Sequence, residues 1–129
     1  PSEKAERLLL QGMGGQAHSL KALLSINELQ NLQQAVKEIT VSASILDYVQ
    51  RLVAATRNHI ALAYGLSPRA ALALLNAAKS WALLHDRQHV LPDDIQVVFL
   101  AVVKHRLQDA MDNQMQGVSE EILNSTSIL

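Results

Sequence analysis

Residues 68–85 constrain the fold more than any other segment, because they form a helical pattern that is apolar on most sides. Most surface helices carry one apolar stripe, whereas a helix that is apolar nearly all round is covered by neighbours on several sides. We therefore expect this helix to lie at the centre of a helical bundle. Its polar residues fall mainly on one narrow strip, which consists of Arg69, Asn76, Lys79 and Ser80.

Three other segments predict the long helices around it. Ser25 and Glu28 have the spacing of a capping box at the start of an amphipathic helix. Ser42 is a good N-cap for the next helix, which is expected to end near Asn58. Pro92 opens a further helix, and the two acidic residues that follow it suit the helix dipole. Together these segments predict an all-α fold.

Shorter elements complete the prediction. Residues 2–11 and residues 119–123 predict two short helices, the second capped by Ser119, so the bundle would contain five or six helices. Two extended pieces near Val41 and Val90 are placed to pair as a minimal two-stranded β ladder. The last residues, 124–129, are expected to be frayed.

Charge and cysteine content exclude several classes of function. The net charge of −1 gives no basic excess, and proteins that bind nucleic acids normally carry one. The chain has no cysteine, which excludes disulfides, thiolate metal sites and cysteine nucleophiles. No apolar stretch approaches the ~20 residues that span a bilayer, and the polar N-terminus is unlike a signal peptide. We expect a cytoplasmic protein without nucleic-acid partners or a membrane span.

The sequence Ser67-Pro68-Arg69 starts the central helix and places a cation where helices disfavour one. Ser67 is a good N-cap, and Pro68 suits the first helical position. Arg69 then lies in the first turn, where the positive end of the helix dipole repels a cation. Because the same N-terminus attracts anions, these residues together form a candidate phosphate site. The alternative is an exposed arginine that only points into solvent, at a cost below ~1 kcal/mol.

Several short motifs occur in one order along the chain. They are Pro1-Ser2-Glu3-Lys4-Ala5-Glu6-Arg7, Val41-Ser42, Leu46-Asp47-Tyr48-Val49, Ala55-Thr56-Arg57-Asn58-His59, Ser67-Pro68-Arg69-Ala70, Leu74-Leu75, Ala77-Ala78-Lys79, Arg87-Gln88-His89-Val90-Leu91-Pro92-Asp93-Asp94-Ile95 and His105-Arg106-Leu107. This ordered set resembles the C-terminal lid of MoxR-type AAA+ ATPases over residues 1–107. Residues 1–7 resemble the segment that leaves the last strand of the ATPase core.

The resemblance implies three parts of the chain. Residues 1–24 would be the segment that leaves the ATPase core, followed by a linker around the glycine-rich residues 12–15. Residues 25–110 would form the helical lid domain, and residues 111–129 a C-terminal tail with a short helix. The chain does not begin with methionine, and we interpret it as an excised fragment that lacks the Walker A and Walker B core.

The resemblance also assigns roles to single residues. In this family the arginine of the Ser-Pro-Arg motif is the sensor-2 arginine, so Arg69 would contact the β- and γ-phosphates of ATP. Ser67 and Pro68 would form the helix N-terminus beside them, and a guanidinium group gives two-pronged contacts to phosphate oxygens. Arg57 is a second candidate for binding the nucleotide or a neighbouring subunit. Its alternative role is to stabilise the C-terminus of its own helix.

Cofactors and partners follow from the same resemblance. The intact parent would use ATP and Mg²⁺, and it would assemble into a ring, expected to be hexameric, in which the lid contacts its own core and neighbouring subunits. Family members remodel partner proteins as chaperones do, and those partners often carry von Willebrand factor A domains. The fragment has no P-loop, since residues 12–15 follow a predicted helix and no Lys-Ser/Thr pair closes them. It should therefore not hydrolyse ATP alone.

Two other functions stay open at this point. The helix, short extended loop and second helix over residues 68–106 also suit a histone-fold-like module, although the neutral charge argues against DNA. A free-standing helical protein-interaction module is the remaining alternative. His85 and His89 have the i, i+4 spacing of a metal pair, but the turn predicted between them and the lack of a third ligand argue against a metal site.

Overall fold

The computed structural model describes residues 2–8, 10, 21–62, 64–104 and 115–128. The described residues contain six α-helices, and the predicted all-α fold is confirmed. The chain divides into two compact units, residues 1–30 and 31–129, with the boundary inside the second helix. The helices are α1 (Glu3–Leu8), α2 (Ile26–Glu38), α3 (Ala43–Asn58), α4 (Pro68–Leu84), α5 (Pro92–Lys104) and α6 (Met115–Ser125).

The first unit contains α1 and the start of α2, where the predicted capping box is confirmed. The Ser25 hydroxyl accepts the Glu28 N–H at 3.2 Å, and the Glu28 carboxylate accepts the Ser25 N–H at 2.7 Å. This hydrogen bond from the Ser25 backbone lowers the pKa of Glu28. The apolar side chains of Leu23 and Ile26 are exposed in this unit. The predicted linker at residues 12–15 lies outside the described part of the chain.

The second unit is a helical bundle whose described helices pack most extensively where α4 meets α5. The α5 helix packs against α3, α4 and α6, while α4 packs against α3 and α5. The prediction that α4 is covered on most sides is therefore wrong: Leu72 and Leu84 are exposed. Alanines give α4 much of its apolar character, and a partly exposed alanine costs little because its side chain is small. The α4 helix buries a single stripe, which consists of Ala70, Leu74, Ala78 and Ala82.

The core lies where α3, α4, α5 and α6 meet. Tyr48, Leu74 and Phe99 are fully buried there, and burial of such side chains stabilises a fold by roughly 1.5–3 kcal/mol each. Trp81 is half-buried, packs against this core and lies beside the His85 ring, with ring centroids 4.8 Å apart. Other fully buried side chains of the same cluster are Leu52, Leu66, Ile95, Val103 and Ile122.

The predicted pairing of two extended pieces occurs as one parallel β-bridge between Thr40 and His89. The Thr40 N–H donates to the Gln88 carbonyl at 2.9 Å, and the Val90 N–H donates to the Thr40 carbonyl at 3.1 Å. The Thr40 hydroxyl donates to the same Gln88 carbonyl at 3.0 Å. The bridge ties the segment before α3 to the turn between α4 and α5.

The α4 helix ends in a turn with the hydrogen bonds of a Schellman motif. The Arg87 N–H donates to the Ala82 carbonyl and the Asp86 N–H to the Leu83 carbonyl, each at 3.0 Å. Asp86 has a φ of 55°, a left-handed conformation that glycine usually supplies at this position. The sequence predicts a turn here, and the structure confirms it.

A partly buried ion pair fixes the same turn against α5. The Arg87 guanidinium donates to both carboxylate oxygens of Asp94, at 2.6 and 2.5 Å, and Asp94 is only 2% exposed. The Asp94 carboxylate also accepts the Leu91 N–H at 2.8 Å and so caps the start of α5. Desolvation by burial alone would raise the pKa of Asp94, but these hydrogen bonds and the Arg87 charge outweigh it and lower the pKa.

The C-terminal residues correct two predictions. The α6 helix begins at Met115, so Ser119 is a buried residue inside it and not its N-cap. Residues 126–128 are not frayed, because the Arg51 guanidinium donates to the Ser127 and Ile128 carbonyls at 3.0 and 2.9 Å. A long-range contact of this kind leaves no pattern in the local sequence.

Candidate functional site

The N-terminus of α4 has the cap that the sequence predicts. Ser67 has an extended backbone (φ −73°, ψ 161°), and its hydroxyl accepts the Ala70 N–H at 3.2 Å. The Ser67 carbonyl accepts the Ala71 N–H at 3.0 Å, which closes the first helical turn. Pro68 occupies the first helical position, where its missing N–H costs nothing.

Arg69 follows in the first turn of α4, and its side chain is exposed. It makes no hydrogen bond or ion pair with any residue that the structure describes. A cation near a helix N-terminus is disfavoured by the helix dipole, and here no nearby carboxylate among those residues offsets that effect. The guanidinium is therefore free to bind an anion at the end of the helix.

The segment that leads into this cap is attached to the last turn of α3. The Thr56 hydroxyl accepts the Leu66 N–H at 3.0 Å and donates to the Val53 carbonyl at 2.7 Å. Thr56 is fully buried, and the Leu66 side chain is 1% exposed. Leu66 is the residue directly before the N-cap Ser67, so its position sets where α4 begins.

Arg57 and Gly65 form the second attachment of this segment. The Arg57 Nε–H donates to the Leu66 carbonyl at 3.0 Å. A Cβ placed on Gly65 would lie 2.4 Å from the Arg57 Cα, which is far closer than two carbon atoms can approach. Gly65 is therefore required by the close approach of its backbone to α3.

The structure brings Arg57 near the start of α4, as the sequence places it. Arg57 lies in the last turn of α3, where a cation suits the helix C-terminus. It lines a groove of about 410 Å³ together with Val53, Pro68 and Ala71. Arg69 is not among the residues that line this groove. Contact between Arg57 and a nucleotide stays a prediction.

Neighbouring histidines have structural partners. The His59 Nδ1 accepts the Ala61 N–H at 3.3 Å, and its Nε2 lies 3.7 Å from a Glu121 carboxylate oxygen, which links the end of α3 to α6. His85 Nδ1 lies 2.8 Å from the Trp81 carbonyl oxygen. His89 forms the β-bridge beyond the Schellman turn, so the turn separates the two histidines of the i, i+4 pair. Residues 105–114, with His105 among them, lie outside the described residues.

Thr56 falls within the helix predicted between Ser42 and Asn58, but the sequence does not show its hydroxyl contact with Leu66. The available signal is a hydroxyl-bearing residue in an otherwise apolar stripe. That signal shows that the hydroxyl needs a partner, but it does not identify the partner ten residues away.

None of the described helices is both long and apolar enough to cross a bilayer.

Comparison with known proteins identifies the family. Residues 54–126 match the family described as the AAA lid domain. The chain is 31% identical over 122 residues to the uncharacterized protein YeaC of Bacillus subtilis (strain 168), covering 95% of this chain and 38% of that protein. It is 36% identical over 132 residues to the chaperone MoxR1 of Mycobacterium tuberculosis, covering 95% of this chain and 35% of that protein.

A solved structure shows the same fold. A crystal structure of a candidate ATPase from Cytophaga hutchinsonii superimposes with a TM-score of 0.71 at 23% identity. The match covers 98% of this chain and 43% of that protein. The chain thus spans well under half the length of each of these relatives. The predicted resemblance to the lid of MoxR-type ATPases is confirmed, and this chain belongs to the AAA lid domain family.

Proposed function

We propose that this chain acts as the lid of a MoxR-type AAA+ ATPase and that Arg69 is its sensor-2 arginine. The observation that carries the proposal is an exposed arginine in the first turn of α4 that has no partner among the described residues and lies beside a complete N-cap. The helix dipole disfavours this cation until an anion joins it. A phosphate group would relieve that disadvantage and accept two parallel hydrogen bonds from the guanidinium.

ATP and Mg²⁺ would be held mainly by a nucleotide-binding core in the parent protein. The described residues contain no group of three or more His, Asp or Glu side chains that could hold a metal ion. This chain would contribute the Arg69 guanidinium and the N-terminus of α4, with Ser67 and Pro68 fixing their direction. Arg57 would be a second contact, either to the nucleotide or to a neighbouring subunit.

Loss of the γ-phosphate would remove one partner of Arg69 and release the lid from its core. Movement of the lid against the core would then change the contact with the next subunit in a ring, expected to be hexameric. The support for a chaperone-like role is the similarity to MoxR1, whose name describes it as a chaperone. Partners with von Willebrand factor A domains are part of the same proposal.

The test is Arg69→Ala in the full-length ATPase, with Arg69→Lys as a matched variant. Removing one group that stabilises developing phosphate charge should lower kcat for ATP by at least about 10-fold. The lysine variant should recover only part of this, because a point charge does not give the two-pronged contact. Circular dichroism should be unchanged in both variants. Equal turnover in Arg69→Ala and the parent would end the sensor assignment and favour a helical adaptor.

A second measurement concerns the chain by itself. Titration of ATP and Mg²⁺ into the isolated chain should give no hydrolysis and only very weak binding, since most phosphate ligands would belong to the P-loop of the core. Micromolar affinity of the isolated chain for ATP would contradict the proposal that the core supplies most of the phosphate ligands. The histone-fold alternative would require retention on DNA that weakens with salt.

A further inference from the structure

We infer that Thr56 is a positioning residue for Arg69, and this inference rests on the sensing role proposed above. The hydroxyl of Thr56 fixes the segment before α4 to the end of α3. Arg69 would then move with α3 as one rigid body, and residues 64–67 would not act as a hinge. Four observations support the inference.

The first observation is the direction of the Thr56 hydroxyl. It donates its only hydrogen to the Val53 carbonyl at 2.7 Å, which leaves its oxygen lone pairs to accept the Leu66 N–H at 3.0 Å. Thr56 is 0% exposed, so water does not compete for either bond. A buried N–H without a partner is costly, so this hydrogen bond stabilises the Leu66 backbone in its position beside Thr56.

The second observation is that both polar groups of the Leu66 backbone bind consecutive residues of α3. Thr56 accepts the N–H, and the Arg57 Nε–H donates to the carbonyl at 3.0 Å. The third observation is the Leu66 side chain, which is 1% exposed and belongs to the core. Two hydrogen bonds and one buried side chain thus restrain a single residue.

The fourth observation is the close approach at Gly65. Its backbone lies so near α3 that an added Cβ would come within 2.4 Å of the Arg57 Cα and 2.5 Å of the Arg57 nitrogen. The Gly65 backbone therefore lies directly against Arg57 of α3. Flexible hinges are short of such contacts, because they must absorb changes in φ and ψ.

The backbone from Leu66 to Arg69 contains no freely rotating segment. Ser67 is held by its cap to Ala70, and Pro68 has a fixed φ. A force on the Arg69 guanidinium would reach α3 through these restrained residues. The end of α3 and the start of α4 would then respond to the phosphate together.

The test is Thr56→Val in the full-length ATPase, with Thr56→Ser as the conservative variant. Valine keeps the shape of threonine but neither accepts nor donates a hydrogen bond. We expect kcat/KM for ATP to fall about 10-fold in Thr56→Val, because small displacements of a positioned group reduce rates by such factors. Thr56→Ser should keep at least half of the parent value.

A control separates positioning from loss of stability. Ile45 is buried at the other end of α3, about 16 Å from Thr56 by the rise of the helix. Either Ile45→Val or Ile45→Ala should be chosen to match the Tm loss of Thr56→Val. This control should keep its kcat/KM within about twofold of the parent at a temperature where both variants are folded. An equal loss in the control would overturn the inference.

A double-mutant cycle tests whether Thr56 acts through Arg69. In an Arg69→Ala background, Thr56→Val should cause no further loss of kcat/KM, since the group it positions is absent. A further 10-fold loss there would overturn the inference. Should Arg69→Ala itself leave turnover unchanged, the sensing role and this inference both fail. Should Arg69→Ala lower turnover while folded Thr56→Val does not, only the positioning role fails.

Hydrogen exchange of the unmodified protein gives a measurement that does not depend on the folding of a variant. The Leu66 amide should exchange as slowly as the core amides of α3, because its N–H is buried and bound to Thr56. Exchange at the rate of an open loop would overturn the inference.

Discussion

Two arginines at opposite ends of α4 have opposite surroundings. Arg87, just past the C-terminal end, donates to both oxygens of the buried Asp94 carboxylate. Arg69, in the first turn, is exposed and has no partner among the described residues. The Arg87 charge therefore stabilises the α4–α5 turn through an ion pair, whereas the Arg69 charge remains available to bind an anion. An arginine near a helix end is thus a candidate ligand-binding residue when the fold does not already pair its charge.

The largest expected effect on stability comes from removing the Asp94 charge that pairs with Arg87. Asp94→Asn should lower the free energy of unfolding by about 1–3 kcal/mol, since it breaks the bidentate pair and leaves the partly exposed Arg87 guanidinium beside a neutral amide. Urea unfolding followed by circular dichroism measures the change. ATP turnover of the folded variant should stay at the parent level, because Asp94 lies at the start of α5 and pairs with Arg87, which is beyond the opposite end of α4 from Arg69.

Asp93→Asn is the matched control for this prediction. Asp93 is the neighbouring carboxylate in the same first turn of α5, but it is exposed and forms no hydrogen bond or ion pair with the described residues. Its loss should cost below about 0.5 kcal/mol, as it removes only the favourable interaction with the helix dipole and a solvent-screened attraction to Arg87. Equal losses in the two variants would mean that the partly buried ion pair has no special role.

Acid should weaken the same turn. The pKa of Asp94 lies below its ordinary value of 3.8, because hydrogen bonds from Arg87 and Leu91 outweigh the effect of burial. A carboxyl group with a lower pKa in the folded state contributes stability that is fully present above its unfolded pKa and lost as the pH falls through its folded pKa. We expect this contribution to the urea midpoint to be constant at neutral pH and to be lost below about pH 4. The midpoint of Asp94→Asn should fall less steeply over the acid range, and an identical slope would assign the fall to other carboxylates.

A small gain in the free energy of unfolding should come from Asp86→Gly in the turn beside Arg87. The left-handed backbone at φ 55° costs a residue with a side chain roughly 1–2 kcal/mol, and glycine avoids this cost. Part of the gain is offset because glycine has greater conformational freedom in the unfolded chain. The net increase in the free energy of unfolding should be about 0.5 kcal/mol. Asp86→Ala serves as the control and should be neutral or destabilising. A gain with alanine as large as with glycine would rule out backbone strain as the cause.

The smallest expected effect on stability comes from substitution of Arg69. Arg69→Ala should raise the free energy of unfolding by about 0.3–0.5 kcal/mol, since it removes a cation from the positive end of α4. Arg69→Gln isolates the charge from the side-chain length. The gain should shrink in high salt, which screens the dipole. A loss above about 1 kcal/mol in urea unfolding would show that Arg69 supports the fold and is not reserved for a ligand.

The local features of the chain could be predicted from the sequence. The caps at Ser42 and Ser67 are confirmed, with hydroxyl–amide distances of 3.3 and 3.2 Å to Ile45 and Ala70. The capping box at Ser25 and the turn at Asp86 are confirmed as well. Each of these joins residues three to five positions apart, so the residues that make the contact are visible together in one short stretch of sequence.

Features that depend on distant residues could not be predicted. The Arg51 contacts with Ser127 and Ile128 join residues 76 and 77 positions apart, and the sequence led us to expect a frayed end. The exposure of Leu72 was also missed, because an alanine-rich helix has no strong preference for which side it buries.

The helical class, the start of α4 and the cation in its first turn follow from local sequence, since helix caps and periodicity are local properties. The pairing of Arg87, in contrast, depends on tertiary packing, because the fold must bring a carboxylate within hydrogen-bond distance. The tertiary structure also decided that Thr56 and Arg57 hold Leu66, as packing of the α3 end against the segment before α4 creates both contacts. Packing places these residues together, and no local pattern encodes it.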